Sequence, residues 1–195
     1  MSRLLDIVLG GLVLLAAAPL LVIAAIAIRL ESRGWPVYRQ LRVGRDGRTF
    51  ELLKLRTMVA GAEHIGAGLA VNGGDPRITR VGALLRRFSI DELPNLVNVL
   101  RGDMALVGPR PTLKAQVDQY TPRQRRRLDV KPGITGWAQV NGRATLPWHE
   151  RIELDVWYVE HRSVRTDLLI LLRTPLALFG GTYKGATGGW KDPAA

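Results

Sequence analysis

Between Ile7 and Ile28 the chain runs for 22 residues without a charged side chain. At about 1.5 Å per residue this is roughly 33 Å of helix, enough to cross a hydrocarbon core of about 30 Å. A helix that is apolar all round does not suit one layer of a small soluble core, so the run points to a membrane. A cleaved leader would have a shorter apolar region before a small-residue cleavage site. Ala16-Ala17-Ala18 imitates such a site, but the run continues past it to Ile28. Pro19 lies near the middle, where it removes a backbone donor and clashes with the preceding turn, so a kink is expected there. Arg3 precedes the run, and Arg29, Arg33, Arg39, Arg42 and Arg45 follow it. Basic flanks stay on the cytoplasmic side. The pattern predicts a re-entrant helix over residues 1–30, broken at Pro19 and returning to the leaflet it entered. A simple spanning helix is the alternative, and both leave the rest of the chain in the cytoplasm.

The remainder is strongly basic. Formal net charge is +11, and arginine supplies 23 of the 28 basic residues. Such a surplus attracts anionic lipid, nucleic acid or nucleotide phosphates, and the bidentate guanidinium favours phosphate or carboxylate over mere solubility. No cysteine is present, which removes disulfides and thiolate metal sites.

The chemistry concentrates between Arg86 and Pro111, RRFSIDELPNLVNVLRGDMALVGPRP. Adjacent carboxylates, Asp91 and Glu92, follow the cationic pair Arg86-Arg87. Ser89 to Glu92 has capping-box spacing ahead of an apolar run at helical spacing, so the dyad is expected in the first turn of a helix. A helix start favours negative charge through its free N–H groups and dipole. Gly108-Pro109-Arg110-Pro111 fixes an extended turn with Arg110 held between two prolines. The competing reading is an ordinary capped helix with solvated charges.

Around this centre, Trp35–Leu55 reads as a short β-hairpin turning at Arg45-Asp46-Gly47-Arg48. Lys54 and Arg56 on its second strand either line a phosphate site or decorate a membrane-facing rim. Residues 60–74 are glycine-rich and read as a mobile loop holding a lone His64. Thr112–Leu128 reads as a polar helix whose Arg123, Arg125, Arg126 and Arg127 are expected to meet anionic headgroups. In KPGITGWAQVNGR, Lys131–Arg143, glycines allow close backbone approach, and Trp137, Gln139, Asn141 and Arg143 are candidates to wall a base or sugar site. Trp148–Arg162 is an amphipathic helix and Asp167–Phe179 an interfacial one, too short to span. Trp148, Trp157 and Tyr158 suit an interfacial belt or core packing about equally. The tail, 181–195, reads as loose.

Taken in order, these segments resemble the monotopic bacterial phosphoglycosyl transferases, also called bacterial sugar transferases. The matching pieces are Arg3 with Asp6, KLRTM at Lys54–Met58, DPRITRVG at Asp75–Gly82, SIDELPNLVNVLRGDMALVGPRP at Ser89–Pro111, KPGITGWAQVNGR, and LDVWYVEHRSVRTDLLILLRT from Leu154. Several long motifs in the right order are far more specific than one short pattern. The resemblance implies a mostly α, α/β fold of minimal catalytic-core type. It consists of a re-entrant membrane helix (1–30), interfacial helices and a small catalytic domain with a hairpin (31–180) on the cytoplasmic face of the inner membrane. It implies transfer of a sugar 1-phosphate from a UDP-sugar to polyprenyl phosphate with release of UMP, through a phosphosugar intermediate on Asp91. It also implies Mg²⁺ at Asp91 and Glu92, with Arg86 and Arg110 holding phosphates. The expected partners are the two substrates and anionic lipid, not nucleic acid, with a homodimer allowed. Two positions depart from the family pattern: Val43 stands where proline is common, and Ala18 where serine often precedes the kinking proline.

The chemistry agrees with the residues. A carboxylate can act as a covalent nucleophile, and phosphoryl transfer needs mainly positioning and charge cancellation. Mg²⁺ takes hard oxygen ligands and keeps several waters, so few protein ligands suffice. Two other readings make distinct predictions. A membrane-anchored glycosyltransferase would release UDP, and a non-catalytic module binding anionic lipid or nucleic acid would tolerate loss of Asp91.

Overall fold

A computed structural model describes residues 2–65, 74–142 and 146–179. Arg143 and the segment 181–195 lie outside these, as does most of the glycine-rich loop. The apolar run forms α1, Arg3–Glu31, a 29-residue helix of roughly 43 Å. Pro19 sits inside it without ending it, so a break at this proline is at most a bend within one helix. The reason lies in the neighbouring turns, where Ala16-Ala17-Ala18 before the proline and Leu20-Leu21 after it are strong helix formers on both sides of the lost donor.

α1 is bound at both ends to the rest of the chain. Near its start, Asp6 accepts a hydrogen bond from the Leu106 amide at 3.0 Å, and Arg3 donates to the carbonyls of Val99 and Leu100. Gly10 lets the helix lie close to Val99, Leu106 and Leu96. Near its end, Ala24 and Ile28 pack with Leu55 and Leu85, while Glu31 accepts from the amides of Arg80 and Val81. The remaining faces expose Leu12, Leu15, Val22, Ile23 and Ile26, as expected of a membrane-associated protein.

Strands β1, Val37–Val43, and β2, Thr49–Leu55, form the expected antiparallel hairpin, pairing Val37 with Leu55 through Val43 with Thr49. Asp46 and Gly47 take positive φ at its tip, which suits short polar residues and glycine. Helix α2, Arg80–Arg87, begins with Thr79 capping the Gly82 amide at 3.0 Å. A Cβ on Gly82 would stand 2.0 Å from the Thr57 carbonyl oxygen, so only glycine permits this approach. Helix α3, Asn95–Arg101, stops at Gly102 with φ 97°.

Two short strands that alternation did not reveal, β3, Ala105–Val107, and β4, Gly133–Thr135, pair in parallel. They bring GPRP beside KPGITG, because Gly108 and Gly133 approach so closely that a Cβ on Gly133 would lie 2.1 Å from the Gly108 nitrogen.

The polar stretch before β4 is not one helix. It breaks into α4, Lys114–Val117, α5, Pro122–Arg125, and a 3₁₀ turn over Arg126–Leu128. After β4 come α6, Trp137–Val140, α7, Trp148–Glu160, and α8, Val164–Phe179. Leu52, Leu96, Val99, Met104, Tyr158 and Ile170 form the main core. The aromatic residues of α7 belong to packing rather than to a belt: Tyr158 is buried, Trp157 stacks on Trp137, and Trp148 lies against Tyr120. In the arginine cluster, Arg123 and Arg126 pair with Glu153 and Glu160 on α7 while staying about half exposed, and Arg127 is buried against Asp155.

Candidate active site

Asp91 and Glu92 lie in a 3₁₀ turn, Ile90–Glu92, between α2 and α3. The expected capping box does not form. Ser89 takes a left-handed φ of 55° and makes no side-chain cap bond, and α3 starts only after Pro94. Proline fits a helix start, where no N–H is needed, so it displaces the helix boundary beyond the dyad. A non-glycine residue in left-handed backbone is sparse and held by its surroundings. Here it turns the chain so that Asp91 points inward, with 6% of its surface exposed.

The two carboxylates have opposite environments. Glu92 is clamped from two elements. Lys54 of β2 donates to Oε1 at 2.8 Å, and Arg110 of the Pro-Arg-Pro turn reaches Oε1 at 2.6 Å and Oε2 at 3.3 Å. Burial pushes the Glu92 carboxyl up, but Arg110 and Lys54 together outweigh it and hold it well below the usual range. The Asp91 carboxylate accepts no hydrogen bond from the described residues. Burial, and then the charge of Glu92, push it up, and Lys54, Arg86 and Arg110 offset this only in part. One acid is thus neutralised in place, and its neighbour is left basic and available.

Around the pair, several polar atoms are buried without a partner among the described residues: Nε and Nη1 of Arg86, Oδ1 of Asn95 and both amide atoms of Gln139. Such atoms are uncommon because each forfeits its hydration, and their clustering marks a place where something binds. Asn95 shares a narrow cleft with Arg42, Lys54, Glu92 and Arg110. Gln139 lines a larger cavity of about 380 Å³, whose polar end includes Glu92 and Arg110 and whose walls include Leu9 and Val13 of α1 and Leu171 and Leu178 of α8.

Of the residues nominated from sequence, the structure brings Asp91, Glu92, Lys54, Arg86, Arg110 and Gln139 together. Arg56 is elsewhere: its guanidinium donates to the carbonyls of Ser32 and Arg33 at 2.9 and 2.6 Å, because the orphan carbonyls after α1 are its nearest acceptors. Asn141 is also elsewhere. It donates to the Trp137 carbonyl at 2.8 Å and faces a separate trough with His149 and Glu153. Arg143 falls outside the described residues. Arg42 and Asn95 were missed. Burial, and then Arg110, push Arg42 down to about 10, and it donates to the Pro111 carbonyl at 3.4 Å. Asn95 stands four residues after Asp91, a spacing that could have suggested it.

Residues 1–181 match the model of a family described as bacterial sugar transferase. The chain belongs to the bacterial sugar transferase family. This sugar transferase is 45% identical over 175 residues to the uncharacterized sugar transferase EpsL of Bacillus subtilis, covering 89% of this chain and 85% of that one. It is 46% identical over 181 residues to a Caulobacter vibrioides protein named UDP-glucose:undecaprenyl-phosphate glucose-1-phosphate transferase, covering 89% and 67% of the two chains. An Escherichia coli protein of the same name is 44% identical over 179 residues, with 87% of this chain but 38% of the relative covered.

Proposed function

We propose that this sugar transferase moves a sugar 1-phosphate from a UDP-sugar to a polyprenyl phosphate and releases UMP. The observation that carries the proposal is the asymmetry of the dyad: a basic Asp91 with no hydrogen-bond donor among the described residues stands beside a charge-compensated Glu92, at the edge of a cavity walled by the apolar helix α1. An Oδ of Asp91 attacks the β-phosphorus, and the bond from that phosphorus to the oxygen bridging to UMP breaks. UMP leaves with the electron pair. The lipid phosphate oxygen then attacks the same phosphorus and returns the carboxylate, giving polyprenyl diphosphate sugar. Arg110 and Arg86 are assigned to the phosphate oxygens, where bidentate donors cancel spread charge. Lys54 is assigned to hold Glu92 in place.

The residues present suit Mg²⁺. Asp91 has open oxygen lone pairs, and the orphaned Oδ1 of Asn95 is a further hard donor in the adjoining cleft. Asp91 and Glu92 would hold the ion, which supplies charge neutralisation on the diphosphate when bound.

We also assign α1 to a re-entrant position with the catalytic domain on the cytoplasmic face. Support comes from the packing of both ends of α1 on that one domain, through Asp6 and Arg3 at the start and Ile28 and Glu31 at the end. A straight spanning helix would separate its ends by about 30 Å of hydrocarbon. The exposed Leu168, Leu172 and Leu176 of α8 extend the same apolar surface.

The test is a product assay in detergent with Mg²⁺ and a panel of UDP-sugars, without acceptor. A burst of about one UMP per enzyme is expected, with sugar-phosphate mass on the Asp91 peptide and neither signal in Asp91→Asn. UDP as product would move the chain to the glycosyltransferase class. No nucleotide release even with polyprenyl phosphate added would favour a binding module.

A further inference from the structure

The Pro-Arg-Pro turn has a positioning problem that its own sequence creates. Pro109 and Pro111 have no N–H, so between them the turn keeps a single amide donor, and it must be located mainly through its carbonyls. Donors from three other segments reach them. The Gly133 amide of β4 bonds the Pro109 carbonyl at 2.9 Å, Arg42 of β1 reaches that of Pro111, and Nη2 of Arg127 bonds that of Arg110 at 2.9 Å. Arg127 is itself fixed on every side the structure describes. It pairs with Asp155 of α7 and donates to the Tyr120 hydroxyl, which in turn meets Thr112 at 3.2 Å. Arg127 and Asp155 are 4% and 2% exposed.

An ion pair buried this deeply is poor at adding stability, since both charges lose their hydration. Burial pushes the Asp155 carboxyl up to about 6 in spite of the pull of Arg127. The pair therefore needs a reason other than stability, and its bond to the backbone of the phosphate-site arginine provides one. We propose that Arg127 and Asp155 are positioning residues, which act on the reaction by holding the Arg110 backbone so that its guanidinium meets both Glu92 and the diphosphate of the donor. The inference rests on the transferase reading above. A lysine cannot replace Arg127, because one ammonium cannot span Asp155, Tyr120 and the Arg110 carbonyl as the fork does.

The experiment is a double-mutant cycle on the full chain in detergent, with Arg127→Lys in the wild-type and Arg110→Ala backgrounds. It is read as kcat/KM for UMP release and, separately, as affinity for UDP. In the wild-type background Arg127→Lys is expected to lower both on the order of 10- to 100-fold, and in the Arg110→Ala background by less than about 3-fold. Equal losses in the two backgrounds, or no loss in either, would overturn the inference. Asp155→Asn, which keeps side-chain volume, goes through the same cycle. The same non-additivity is expected from it, so a poorly folding Arg127→Lys does not decide the matter. A wild-type chain that releases UDP instead of UMP would sink the assigned reaction but leave the cycle readable on UDP affinity. A chain that does not bind UDP would sink both.

Discussion

Asn95 and Asn98 stand about one turn apart on α3, both buried, and their surroundings differ completely. Asn98 has its hydrogen bonding taken up: Oδ1 accepts from the Leu53 amide at 3.1 Å, and Nδ2 donates to the Glu51 carbonyl at 2.7 Å and to Asp103 at 3.3 Å. It pins α3 to the edge of the hairpin. Asn95 faces the cleft beside Glu92 with Oδ1 unpartnered. The Tyr158–Asp167 pair, bonded at 2.7 Å, repeats the first pattern, and Arg86 beside Asp91 repeats the second. Burial of polar groups alone does not mark a site in this molecule. Unfilled hydrogen-bonding capacity gathered in several atoms around the dyad marks it better, although Nε of Arg56 and Oδ1 of Asp155 are also unpartnered among the described residues.

The largest effect expected on this view is at Asp91. Asp91→Asn removes the nucleophile and should lower UMP release by about 10⁴-fold or more. It should not lower the melting temperature, since no bond of the described residues is lost. A variant that melts early would place Asp91 with Asn98 and break the comparison. Next come the two asparagines themselves. Asn98→Ala leaves the Leu53 amide and Glu51 carbonyl unpaired and should cost about 2–4 kcal/mol. In a chain of this size that lowers the melting temperature by roughly 5–15 °C. Turnover per folded molecule should stay within about 3-fold, as for an independent site. Asn95→Ala should do the reverse, leaving stability within about 1 kcal/mol and lowering UMP release on the order of 10-fold or more.

The sequence made one half of this contrast visible. Asp91, Glu92, Arg86 and Arg110 stood out because charged residues and prolines cluster in one short stretch, α1 because its apolar run is unbroken, and the hairpin because of its turn residues. The contacts that finish the site were hidden for a physical reason. Lys54 reaches Glu92 across 38 residues, and Arg127 reaches Asp155 across 28, so no local pattern records them. Arg127 sat among three other arginines that do face outward, and composition cannot tell the inward one from its neighbours. Arg56, one residue beyond β2, looked equivalent to Lys54, but at the strand end it turns to the carbonyls after α1 instead. The pairing of β3 with β4 joins two three-residue strands whose alternation is too short to read.

The pH dependence sharpens the difference between the two acids of the dyad. Asp91 must be ionised to attack, and its carboxyl lies above the usual aspartate range. Adduct formation should therefore fall about tenfold per pH unit below an apparent value higher than the ordinary 3.9 or so. Glu92→Gln removes a charge that pushes Asp91 up and frees Lys54 and Arg110 to stabilise the Asp91 anion, so the acid limb should move to lower pH. A limb that stays in place would mean that the titrating group is not Asp91.

The smallest effect tests the buried pair behind Arg110 by stability alone. Asp155 faces Arg127, Arg151 and Arg110, yet burial outweighs all three and pushes its carboxyl up to about 6. A carboxyl raised on folding binds more protons in the native state than in the unfolded one between its two values. Its contribution is therefore present below the unfolded value near 4 and is lost as pH rises through about 6. Glu92 and Asp75 are shifted the other way and lose their contribution only as pH falls into the ordinary acid range and below, whereas Asp91 is raised like Asp155, so the comparison between pH 7 and 5 is made in the Asp91→Asn background. The melting temperature should rise by a few degrees, about 3–5 °C, as pH is lowered across that interval. In Asp155→Asn the rise should disappear, because the side chain can no longer take up a proton. A rise that persists in the variant would mean that Asp155 is ionised throughout. The pair with Arg127 would then hold Arg110 by full charge at every pH where the enzyme works.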